Sequence, residues 1–206
     1  MPILSPSKIV CVGRNYAAHA KELGNDIPKE PLIFLKPPSS VIRSGESIRL
    51  PAVSRQVEYE GEIGVVIGTR LRKASPSAAR RAVVGIVAAN DVTARDLQKS
   101  DSQWTRAKGF DTFCAVGEVA TPPDDLASLV VTTRVNGEVR QQGRGSDMVF
   151  DIPAVLAYIS SVMTLEPGDL VLTGTPEGVG TLAPGDVVEV EIAGMSRVSN
   201  PVTSDD

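Results

Sequence analysis

The chain has 206 residues, a length that predicts one domain spanning 1–206, with a core that needs no disulfide to hold it. Its 42% hydrophobic and 22% charged residues place it among ordinary globular proteins rather than disordered ones. The formal net charge of −4 argues against a general nucleic-acid or anionic-membrane binder, and no apolar run is long enough to span a bilayer. The first residues lack a charged segment leading into a long apolar run, so no signal peptide is expected. Cys11 and Cys114 lie far apart in apolar surroundings and read as buried free thiols, and the expected location is the cytoplasm.

Taken in chain order, Ile9–Val12 is a short apolar strand. Asn15–Leu23 is a helix, with Asn15 as its cap and Gly24 as its end. Leu32–Leu35 is a second strand, stopped by Pro37 and Pro38. Val57–Gly68 is an acidic strand that turns apolar. Ser75 caps a helix with Pro76 in its first turn, and Val83–Asp91 is a buried strand. Asn136-Gly137 within Val130–Gln141 marks a hairpin. Asp151 caps a helix over Ile152–Met163. The turn at Glu166–Asp169 enters the strand Leu170–Thr173, and Asp186–Ile192 is the final strand. The residues from about Ser199 are polar and acidic, and fraying is expected there. Many strands, Gly/Pro turns and few helices give a mainly β, α+β domain rather than a βαβ repeat.

In Val57-Glu58-Tyr59-Glu60-Gly61-Glu62-Ile63, strand alternation puts Glu58, Glu60 and Glu62 on one face, with neighbouring Cα atoms roughly 7 Å apart. Either the carboxylates converge on a hard cation, with Asp91 as a candidate third oxygen donor, or they line a solvated face. Glu58, nearest the strand's start, is the one expected to be merely solvated. His19 is the single histidine, three residues before Glu22 on the same helical face. That pair suits a general base whose tautomer is fixed by a carboxylate, or else it is a surface pair. One histidine rules out a two-histidine zinc site within one chain, and the sequence contains no P-loop, G-x-G-x-x-G or G-x-S-x-G stretch. Lys108, in Arg106–Asp111, could bind an anion or stabilise an enolate, or sit in an exposed loop. The glycine-rich 174–180 segment lets backbone approach a ligand, or is a plain turn.

Six ordered motifs resemble the fumarylacetoacetate hydrolase family, in particular its small single-domain members. They are Val12-Gly13-Arg14-Asn15-Tyr16 with His19 and Glu22; Phe34-Leu35-Lys36-Pro37; Glu60-Gly61-Glu62 leading into Val65-Val66-Ile67-Gly68; Asn90–Asp96; Ala107–Asp111; and Leu172–Pro176. The resemblance runs from about Ile9 to Ile192. It implies a mixed β-roll, β-sandwich-like fold, a homodimer, and a Mg²⁺ or Mn²⁺ site, with Ca²⁺ as a further candidate. Glu60, Glu62 and Asp91 match the metal ligands, and His19 and Glu22 match the water-activating dyad of a short lid helix. Lys108 matches a lysine near metal and substrate, while Arg14, Tyr16, Gln98 and Thr175 fall at substrate contacts.

The implied activity is metal-dependent hydrolysis of a C–C bond in small acylpyruvates such as fumarylpyruvate, through an enolpyruvate. Oxaloacetate decarboxylation, keto–enol tautomerisation and isomerisation of 2-hydroxyhepta-2,4-diene-1,7-dioate use the same constellation. A non-catalytic metal- or ligand-binding module is the reading from a different class. The partner expected is a small keto acid, not nucleic acid or membrane.

Overall fold

The computed structural model describes residues 5–205. Along the chain run β1 (Ile9–Gly13), α1 (Ala17–Glu22), β2 (Leu32–Lys36), β3 (Val41–Ile42), β4 (Ile48–Leu50), β5 (Val57–Tyr59) and β6 (Gly61–Ile67). Next come α2 (Pro76–Arg81), β7 (Val83–Asp91), β8 (Thr93–Ala94), α3 (Arg95–Ser100), α4 (Thr105–Lys108) and β9 (Cys114–Val116). The remainder is β10 (Val130–Val135), β11 (Glu138–Arg144), α5 (Ile152–Val162), β12 (Leu170–Leu172), β13 (Gly180–Thr181), β14 (Val187–Ile192) and β15 (Ser196–Ser204).

The seven-stranded sheet has the order β2-β1-β12-β6-β7-β9-β3. Its two edge strands, β2 and β3, are consecutive in sequence, joined through Pro37 and Pro38. Lys36 on β2 bonds Asp91 on β7 at 2.7 Å, so the sheet curls until one edge approaches its middle. Period-2 alternation then gives each strand two apolar faces. Val10, Ile63, Val65, Ile86, Ala88 and Val171 join the large core between this sheet, α5 and the five-stranded sheet β11-β10-β14-β15-β4. Ile9, Cys11, Val66, Val87, Ala89, Cys114 and Leu172 form a second, smaller core on the other face. Continuing those rows beyond Val66 and Ala89 reaches Glu62 on β6 and Asp91 on β7. The fold is therefore mainly β, with short helices and curled sheets.

Local chemistry explains several elements. Asn136 (φ 53°) and Gly137 (φ 83°) supply the two positive-φ positions of a type I′ turn between β10 and β11. Ser75 accepts from Ala78 N–H to cap α2, and Asp151 accepts from Ala154 N–H to cap α5. Cys11 and Cys114 are free and buried.

Three expectations are corrected. The first helix is Ala17–Glu22, and Asn15 does not cap it. The Asn15 amide instead bonds Phe150 and Thr173, stitching distant segments to the helix base. The acidic stretch is not one strand, because Glu60 interrupts it between β5 and β6. The tail from Ser199 is not frayed: β15 pairs antiparallel with β14 and parallel with β4, burying Val198, Asn200 and Val202. Among the described residues no helix is long and apolar enough to cross a membrane.

Candidate active site

Glu60, Glu62 and Asp91 each bring a carboxylate oxygen within 4.8 Å of the others, and all three are buried. Their placement follows from backbone register. Gly61 pairs with Asn90, Asp91 N–H donates to Glu60 O at 2.8 Å, and Glu60 N–H donates to Asn90 Oδ1 at 3.0 Å. The solvated-face alternative is therefore excluded, and Glu58 too is corrected: it is 6% exposed and accepts from Arg95 Nε at 2.8 Å.

Buried carboxylates need partners. Arg95 bonds Glu60 as well as Glu58, Lys108 Nζ lies 2.8 Å from both Glu60 and Asp91, and Lys36 holds the other oxygen of Asp91. Four carboxylates thus face three cations, leaving His19 aside. The carboxylate left without an ion pair among the described residues is Glu62, which is 1% exposed and accepts from Gly174 N–H at 2.6 Å. Burial, then Asp91 and Glu60, push the Glu62 carboxyl well above the usual range. Burial opposes ionisation of Glu60 as well, but Lys108 and Arg95 overcome it and hold that carboxyl low. For Lys108 burial disfavours the ammonium, yet Asp91 and Glu60 outweigh it and push it up to about 12. Three convergent hard oxygen donors, one of them lacking a cation, fit a divalent ion.

His19 lies on α1 and is 4% exposed, which overturns the surface-pair alternative. Its Nδ1 lies 3.1 Å from Glu22 Oε2, and Glu22 Oε1 accepts from Gly178 N–H at 3.0 Å. Tyr59 Oη donates to Gly178 O at 3.0 Å, so the glycine-rich segment braces the pair. His19, Arg14, Gln98, Thr175 and Lys108 line one cleft with Glu60 and Glu62, walled by Phe34 and Trp104. Lys108 ends α4 and sits 5.0 Å above the Phe34 ring, not in an exposed loop. Arg14 holds a positive φ of 59° and has no ion-pair partner among the described residues. The Thr175 hydroxyl is committed to Gly61 O at 2.9 Å. Tyr16 does not line the cleft; it is 2% exposed, and its hydroxyl has no partner among the described residues. Lys36, Arg95 and Glu58 were missed as site residues. Lys36 and Arg95 stand inside the motifs that carry the family resemblance, which was the signal available.

Residues 8–203 match the family model for the C-terminal part of fumarylacetoacetate hydrolase. A mitochondrial oxaloacetate tautomerase of Arabidopsis thaliana is 47% identical over 198 residues, covering 93% of this chain and 89% of the relative. A mitochondrial oxaloacetate decarboxylase of Dictyostelium discoideum is 47% identical over 196 residues, covering 91% and 89%. The crystal structure of a 2-hydroxyhepta-2,4-diene-1,7-dioate isomerase from Mycobacterium marinum superposes with a TM-score of 0.90 at 46% identity, covering 98% of this chain and 76% of that one. With almost its whole length matched, this chain is an enzyme of the fumarylacetoacetate hydrolase family.

Proposed function

We propose that this enzyme catalyses proton transfer at the carbon next to the keto group of a small 2-oxo diacid of the oxaloacetate type, interconverting keto and enol forms with Mg²⁺ or Mn²⁺. The observation that carries the reading is the His19–Glu22 pair facing a buried carboxylate cluster and Lys108 across one cleft. The names of the relatives move the proposal from acylpyruvate hydrolysis, expected from the sequence, towards tautomerisation.

A divalent ion held by Glu60, Glu62 and Asp91 would supply Lewis-acid polarisation of the 2-oxo group. Glu22 accepts the Nδ1 proton of His19, which leaves Nε2 basic. His19 takes the C3 proton, and the electron pair left behind forms the C2–C3 double bond. The oxygen at C2 gains the negative charge, which the Lys108 ammonium stabilises before a proton returns there. Arg14, with no ion-pair partner among the described residues, would pair with the distal carboxylate of the diacid. Decarboxylation is the second reading, favoured by the same enolate-stabilising groups and by the decarboxylase among the relatives. The homodimer remains part of the proposal, with light scattering as its check.

The test is product analysis across oxaloacetate, acetylpyruvate, fumarylpyruvate and the hydroxydienoic diacid, with either metal. Keto–enol exchange of oxaloacetate without loss of CO₂ is the expected outcome. Cleavage of acylpyruvates alone would return the hydrolase assignment, and metal binding without turnover would return the non-catalytic module.

A further inference from the structure

Gly61 stands between two of the three clustered carboxylates, and its backbone has lost a neighbour. Strand β12 pairs with β6 only from Gly64 to Val66. Past one last backbone bond, from Thr173 N–H to Ile63 O at 3.2 Å, side chains replace the missing strand. Gly61 N–H donates to Gln141 Oε1 at 3.0 Å, and Gly61 O accepts from Thr175 Oγ1 at 2.9 Å. Gln141 Nε2 then donates to Thr175 Oγ1 and to Pro176 O, both at 2.8 Å. This closes a ring of bonds around one residue, across the peptide groups on both its sides. The amide orientation is dictated by its partners, since the flipped form would face NH₂ to N–H and oxygen to oxygen. Gln141 is 2% exposed and comes from β11, 80 residues downstream of Gly61. A Cβ at position 61 would lie 1.9 Å from Thr133 Oγ1, so β10 also presses on this point.

We propose that Gln141 is a positioning residue of the metal site, clamping the Glu60-Gly61-Glu62 backbone so that the two flanking carboxylates keep their mutual geometry. The clamp answers a specific problem: glycine is the residue whose backbone rotates most freely, and rotation here would swing Glu60 and Glu62 apart. It rests on reading Glu60, Glu62 and Asp91 as metal ligands. An amide with a merely structural role would contribute stability alone. A clamp acts on the ion, as outer partners of ligands do.

The experiment measures Mn²⁺ affinity and the bound-Mn²⁺ paramagnetic resonance spectrum of the full chain, beside the melting temperature of the metal-free protein. Gln141→Leu is expected to weaken Mn²⁺ binding roughly 10- to 100-fold and to alter the spectrum. Val190→Ala is the packing control, because Val190 lies 3.3 Å from where a Cβ of residue 61 would be. It should lower the melting temperature and leave Mn²⁺ affinity within about twofold. Thr175→Val breaks the same ring from its other side and Thr175→Ser restores the hydroxyl, so loss followed by rescue supports the clamp even if Gln141→Leu does not fold. Wild-type affinity in Gln141→Leu or in Thr175→Val overturns the clamp, as does an equal loss in Val190→Ala. Absence of Mn²⁺ binding by the wild type overturns the metal reading and the clamp with it.

Discussion

The two ends of β12 each hold a buried carboxylate, and they are built in opposite ways. Before the strand, Asp169 accepts from Ser7 N and Oγ, from Lys8 N and Nζ, and from Glu166 N, the Lys8 ammonium at 2.5 Å. Beyond its far end, Glu62 has one backbone donor, Gly174, and two carboxylates for neighbours. Burial raises both, but the bonds from Glu166, Lys8 and Ser7 bring Asp169 below its ordinary value, while Asp91 and Glu60 drive Glu62 further up. The first carboxylate is satisfied by the protein and stabilises it. The second is left short of positive charge, a cost to the metal-free fold that a bound ion would offset.

The largest effect expected on this contrast is at His19, the proposed base in the cleft that Glu62 also lines. His19→Gln should lower kcat for keto–enol exchange by about 10²- to 10⁴-fold. Calorimetry should find its Mn²⁺ affinity unchanged, since His19 is not a ligand here. Glu62→Gln should abolish tight Mn²⁺ binding in the same titration. It should also raise the melting temperature of the metal-free protein by a few degrees, because a buried carboxyl whose ionisation burial, Asp91 and Glu60 oppose is replaced by a neutral amide. At the opposite end the sign reverses. Asp169→Ala should cost about 3 kcal/mol by breaking a buried, hydrogen-bonded pair, a fall of roughly 6–12 °C in Tm. Its turnover should stay at the wild-type value.

The smallest expected effect is in acid. A folded-state value below the usual 3.8 means that Asp169 contributes stability above that pH and loses it as pH falls through the lowered value. The Tm difference between wild type and Asp169→Asn should therefore be largest above pH 3.8 and shrink below it. A difference that grows with acidity would reverse the sign assigned to this carboxylate.

What could be read from sequence was chemistry that closes within a few residues. Ser75 and Asp151 cap the helices that follow them, and Asn136-Gly137 turns its hairpin. His19 and Glu22 meet because they stand three positions apart on one helix. The errors have the opposite character. Asn15 has a capping side chain, but its partners are Phe150 and Thr173, 135 and 158 residues away. Glu58 looked solvated because it sits nearest the strand's start, whereas Arg95 reaches it from 37 residues downstream. The end of β15 looked frayed by composition, yet its alternate residues Val198, Asn200 and Val202 are buried against distant strands. Asp91 was only a candidate third donor until the family motif matched it to the ligands, since strand periodicity reaches only residues on its own strand.

In the proposed reaction, a metal-loaded carboxylate cluster and His19 share one proton transfer. Hydrogen–deuterium exchange at C3 of oxaloacetate, followed by NMR in D₂O against a protein-free metal control, tests it most directly. Mg²⁺- or Mn²⁺-dependent exchange well above that control is expected for the wild type, falling to near the control in His19→Gln. Exchange that persists in His19→Gln at the wild-type rate, or that needs no divalent ion, would contradict the proposed reaction.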